Sequence, residues 1–64
     1  MDIDDIKAVV GLLTQVTIVD TLGDRLYAGK AEDIPRDMLD MMVEGLAPGH
    51  DYHNGMDFLW IEVL

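Results

Sequence analysis

The apolar positions of the chain fall into blocks with different spacing. Near the start, Ile3, Ile6, Val10 and Leu13 recur at steps of three and four, and Val9 widens the same stripe. That period predicts an amphipathic helix over residues 2–13. Asp2 is placed to cap it, and Asp4 and Asp5 lie in the first turn, where the helix dipole favours negative charge. Gly11 weakens the final turn by about 1 kcal/mol relative to Ala. The pattern then changes to β-branched residues at 16–20 (Val-Thr-Ile-Val-Asp) and returns at 25–28 (Arg-Leu-Tyr-Ala). Between them Thr21-Leu22-Gly23-Asp24 is a turn in which Gly23 is free to take positive φ. The two runs predict a hairpin, with Val16 and Ile18 facing the core and Leu26 packed near them.

Asp33-Ile34-Pro35-Arg36-Asp37 carries a helix-start signal, because Asp33 can cap and Pro35 suits a first turn. Met38, Leu39, Met41 and Met42 follow at helical spacing, but Gly45 and Pro48-Gly49 oppose a long helix. The expectation is a short helix near 35–41, its body over 35–40, and a strand over 42–47. That strand pairs with the last block, 58–64, across a ten-residue loop, 48–57. The last block is apolar at six of its seven positions and nearly continuous rather than alternating. Both of its faces therefore meet apolar material. Leu59, Ile61 and Val63 point to the core, and Phe58, Trp60 and Glu62 point the other way. The fold class expected is α+β: an N-terminal helix packed on a small four-stranded antiparallel sheet made of two hairpins, residues 1–64 forming a single domain. One short helix cannot cover both faces of such a sheet. The uncovered face, with Phe58 and Trp60, is expected to meet a second copy or a partner.

Composition sharpens this picture in two ways. At 64 residues the chain buries only about 60% of its unfolded surface, and without Cys it has no disulfide staple and no thiolate metal site. A small domain in that position often gains stability by oligomerising, so a homodimer is one expectation. Absence of Cys fits an intracellular protein. No run approaches the ~20 apolar residues of a membrane span, and the acidic start is unlike a signal peptide. The charge is more unusual. Thirteen carboxylates face four cations, for a net charge of −9, beyond the ~2–8 usual for a small domain. Direct contact with nucleic acid or anionic lipid is disfavoured, because both need a basic patch. A basic protein would be attracted, and its association accelerated.

Candidate chemistry is sparse. His50, Asp51, His53 and Asp57 form the one dense polar group, and two His with an Asp could ligate zinc or nickel. Their spacing matches no defined site, and Asn54-Gly55 is a common turn pair, so a solvated turn with no metal is expected. There is no Cys and no Ser, and Thr14, Thr17 and Thr21 stand in no nucleophile setting. The segment 45–49 lacks the Lys and Ser/Thr of a phosphate loop. No enzyme and no cofactor are expected. Met38, Met41 and Met42 with Leu39 read as core packing before a soft contact surface. The carboxylates Asp20, Asp24, Glu32, Asp33, Asp37, Asp40 and Glu44 are either a solvated face or, if they share a surface, a stand-in for a row of phosphates on a basic partner.

The central segment Leu26-Tyr27-Ala28-Gly29-Lys30-Ala31-Glu32-Asp33-Ile34-Pro35-Arg36-Asp37-Met38-Leu39-Asp40 resembles short acidic proteins of Gram-positive phages and mobile elements. The shared features are a Tyr-x-Gly hairpin exit, an Asp-Ile-Pro start, a Leu-Asp pair and a hydrophobic last strand. They cover roughly residues 16–47 and the final strand; the His-containing loop departs from the pattern. The family carries no catalytic residues to transfer. Small acidic phage proteins of this size include anti-CRISPR proteins, some of which resemble DNA and block the basic channel of a Cas nuclease. The resemblance thus implies a non-enzymatic inhibitor of a Cas effector, in the cytoplasm of an infected bacterial host. The competing expectation is a small homodimeric accessory protein whose acidity serves solubility.

Overall fold

In the computed structural model, which describes residues 1–11 and 14–64, helix α1 occupies Ile3–Val9. Its start is fixed by a reciprocal capping box. The Asp5 N–H donates to Asp2 Oδ1 at 2.9 Å, and the Asp2 N–H donates to Asp5 Oδ2 at 3.1 Å. The helix is shorter than the stripe predicts. Val10 is already extended, the β-branched pair Val9-Val10 and then Gly11 being poor helix formers. Ile3 and Ile6 are buried, whereas Val9 is 80% exposed and does not widen the buried stripe. The predicted last turn, with Leu13, lies outside the described residues.

Four strands follow: β1 (Gln15–Val19), β2 (Arg25–Lys30), β3 (Val43–Asp51) and β4 (Met56–Val63), in sheet order β2-β1-β4-β3. The fold is α+β with two hairpins, as the pattern predicts, but the sheet is mixed. β1 and β4 pair in parallel, Val16 with Leu59 through Val19 with Glu62. The return path from β2 causes this. β2 ends at one end of the sheet and β3 begins at the other, so the intervening residues must climb a strand's length, ~17–20 Å. The predicted six-residue helix would span only ~9 Å. Instead two single 3₁₀ turns form, Ala31–Asp33 and Arg36–Met38, separated by extended Pro35 (φ −57°, ψ 141°). Neither turn has a side-chain cap, so Asp33 does not cap a helix here. Once the chain has climbed, β3 descends and β4 rises alongside β1.

The return segment and α1 together cover one sheet face. Ile3 N–H donates to Met41 O (3.1 Å) and Asp4 N–H to Leu39 O (2.9 Å), while Asp2 bridges to Met42. The core comprises Ile3, Ile6, Val16, Ile18, Ala31, Ile34, Met38, Ile61 and Val63, with Tyr27, Leu39, Met41, Val43 and Leu59 packed at its margin. Met38 and Met41 pack as the spacing predicts; Met42 is exposed. Tyr27, not Leu26, stands opposite Ile18, because a register shift at Ile18/Val19 sets the phase of β2. Leu26, which the shift leaves without a partner on β1, is 42% exposed. The Tyr27 hydroxyl donates to Lys30 O at 2.7 Å. Burial, then the negative charges of Asp33 and Glu32, push its pKa above the ordinary tyrosine value.

The second hairpin is longer than expected. β3 runs on to Asp51, and the ten-residue loop shrinks to a turn over 52–55. β3 is an edge strand, which accounts for its polar positions and for its tolerance of Pro48. Among the described residues, no helix is long and apolar enough to cross a membrane.

Candidate functional site

The chain's course sorts its thirteen carboxylates. The upper end of the sheet is where β1 and β4 finish and β3 begins. Five carboxylates hold the fold. Asp2 and Asp5 form the capping box, and Asp20, Asp51 and Asp57 act in turns or on a neighbouring side chain. Asp20 Oδ1 accepts from the N–H groups of both Leu22 and Asp24, each at 2.9 Å, and so closes the β1–β2 turn around Gly23, which sits at φ 86°. Asp20→Ala should therefore cost about 1–2 kcal/mol in chemical denaturation, whatever the protein binds. A change below a few tenths would mean the turn closes without it.

Among the described residues, the other eight carboxylates make no side-chain hydrogen bond and no ion pair: Asp4, Asp24, Glu32, Asp33, Asp37, Asp40, Glu44 and Glu62. Lys7, Arg25, Lys30 and Arg36 are not within 4.0 Å of any of them; among the described residues the one such contact is between His50 and Asp57. Asp24, Asp40 and Glu44 gather toward the upper end, beside the start of α1 with Asp4. Glu62 joins them, since it neighbours Val19 across the parallel pair and Gly45 across the antiparallel one. Glu32 and Asp33 lie at the opposite end, where β2 finishes, and Asp37 lies between, on the return segment. Of the seven carboxylates picked from sequence, then, Asp20, Asp24, Asp40 and Glu44 share one end and Glu32 and Asp33 do not. Asp4 and Glu62 were missed. Only the parallel pairing of β1 with β4 brings Glu62 there.

The histidine loop is a built turn. His50 Nδ1 and Asp57 Oδ1 are 2.6 Å apart, and the His50 ring meets Tyr52 edge-on at 4.8 Å. Asp51 Oδ1 accepts from the His53 N–H, and Asn54 Oδ1 from the Met56 N–H, each at 2.9 Å. Among the described residues, no three His, Cys, Asp or Glu side chains are grouped to hold a metal ion. Two of the recesses among the described residues lie on opposite faces of the sheet. One, about 430 Å³ and apolar, lies beside the end of α1 between Val10, Leu46, Pro48 and Leu59. The other, about 230 Å³ and more polar, lies on the opposite sheet face between Arg25, Thr17, Asn54 and Phe58. Phe58 and Trp60 both belong to that opposite face, which no helix among the described residues covers. Comparison with protein-family models, curated proteins and solved structures finds no match.

Proposed function

We propose that this chain is a non-enzymatic inhibitor that docks its acidic upper end onto a basic, nucleic-acid-binding protein, with a Cas effector nuclease as the first partner to test. One observation carries the reading: in a chain of net charge −9, eight carboxylates have no partner among the described residues, and five of them, Asp4, Asp24, Asp40, Glu44 and Glu62, gather at the upper end. Uncompensated charge of one sign lowers the stability of a compact state. A partner's Lys and Arg side chains, which otherwise hold phosphates, would compensate it with charge-assisted hydrogen bonds.

The test is capture of purified Cas effectors at low and at high salt. Affinity should fall at least tenfold as salt rises through the range where the Debye length drops from ~10 Å to ~3 Å. Glu44→Lys and Asp24→Lys should weaken it, and Asp37→Lys should do so less. Glu32→Lys, at the far end, should leave it unchanged. Asp20 is unsuitable as a probe because it also closes the turn. A complex indifferent to salt, or equal losses from Glu32→Lys and Glu44→Lys, would refute the docking end. A second reading, a homodimeric accessory protein whose acidity serves solubility, is favoured by the uncovered face that carries Phe58 and Trp60.

A further inference from the structure

The uncovered face of the sheet is organised in rows. The upper row runs Arg25, Val19, Glu62, Gly45 across β2, β1, β4 and β3. The middle row runs Ala28, Thr17, Trp60, Ala47. In the lower row Lys30 pairs with Gln15, and Phe58 pairs with Gly49; Asp51 and Met56 follow below. The face divides at the β1–β4 seam. The β2–β1 half is basic at its rim and short-chained within. The β4–β3 half is acidic, with the two aromatic rings set beside Gly and Ala. On the β4 side of the face Trp60 is 38% exposed and Met56 45%, whereas on β1 Thr17 and Val19 are buried.

We infer that this face binds a second copy of the chain, the two sheets packing face to face about a two-fold axis parallel to the strands at the β1–β4 seam; the inference rests on the dimer reading above and gives it a geometry. That axis lays each β2–β1 half on the other copy's β4–β3 half. Trp60 falls over the second copy's Thr17, and Ala28 over its Ala47. Arg25 falls over its Gly45, beside its Glu62, and Lys30 over its Gly49, near its Asp51. Trp60 meets a short side chain and each cation comes beside an anion, in both halves at once, while Glu62 falls over the second copy's Val19 and Phe58 over its Gln15. An axis across the strands fails the same comparison, because it sets Arg25 against Lys30 and aromatic against aromatic. Four strands ~4.8 Å apart span ~14 Å between the outer strand axes, so the face is a small one, toward the low end of protein interfaces. Aligned packing of twisted sheets is the ordinary arrangement for such layers. Both acidic ends then lie on the same side of the pair.

The test is sedimentation equilibrium of the full chain and of three variants. The native chain should be dimeric at about 100 µM, a concentration that populates a dimer with a Kd of ~10 µM. Arg25→Glu and Glu62→Arg should each weaken the dimer at least tenfold. An equimolar mixture of the two should dimerise again, because reversed halves match each other and native halves match each other. Glu62→Arg also lowers the net negative charge, so general repulsion alone predicts the opposite result for it. Trp60→Asp should give a monomer; the two charge variants keep the test decisive if it does not fold. A monomeric native chain overturns the dimer reading itself. A dimer that ignores both charge reversals, or a mixture that stays monomeric, overturns the geometry.

Discussion

Replacing Ile61 by Ala is expected to cost about 2–5 kcal/mol and to leave a large part of the population unfolded near 37 °C. The side chain is fully buried on β4, one of the two central strands. It stands beside Ile18 of β1 and belongs to the core that α1 and the return segment close. A folded chain of this length is stable by only about 3–10 kcal/mol, so one cavity at this place removes a substantial fraction. Leu46 supplies the internal control. It pairs with Ile61 on the same sheet face, yet it is 47% exposed on the edge strand. Leu46→Ala should cost less than about 1 kcal/mol, because little buried apolar surface is lost. Urea denaturation at one fixed protein concentration measures both. Equal costs at the two positions would mean that the core is not centred where the return segment covers the sheet.

The central strands were legible because they are buried on one face and half covered on the other. That demand writes itself into sequence as the β-branched run at 16–19 and the apolar run at 58–63. The sheet's direction was not legible. It depends on residues 31–42 travelling the length of the sheet, and Asp33-Ile34-Pro35 suits a 3₁₀ turn followed by extended backbone as well as it suits a helix start. The length of β3 was hidden for a different reason. An edge strand with solvent beside it tolerates Pro48, Gly49 and His50, the residues that in isolation mark a loop.

The excess of negative charge was legible from composition, but its division was not. Whether a carboxylate is free depends on backbone N–H groups nearby. Asp20 looks like its neighbours in sequence, and only the turn it closes separates it from Asp24. Likewise His50 and Asp57 become partners only because the hairpin sets them opposite each other in register. Charge counts report the sum, whereas topology decides which charges remain for a partner.

Gly49→Val is expected to destabilise the chain by about 1–3 kcal/mol, although Val is the better strand residue. Gly49 pairs with Phe58 across the second hairpin, and the ring lies over it. A Cβ at position 49 would overlap ring atoms Cε2 and Cζ of Phe58. The ring must then swing off the sheet, exposing apolar surface that is half buried in the native chain. Two effects of opposite sign compete here, and the second substitution separates them. With Phe58→Ala already in place, the clash is gone and only strand propensity remains, worth up to ~1 kcal/mol in favour of Val. Gly49→Val should therefore be neutral or stabilising in that background. The double-mutant cycle should show coupling of about 1–3 kcal/mol, well outside the scatter for independent sites. Both rings on this face belong to the inferred dimer contact, so every variant must be unfolded at the same chain concentration. If Gly49→Val costs the same with and without the ring, the restriction comes from the backbone of β3, and Phe58 is free to leave the face.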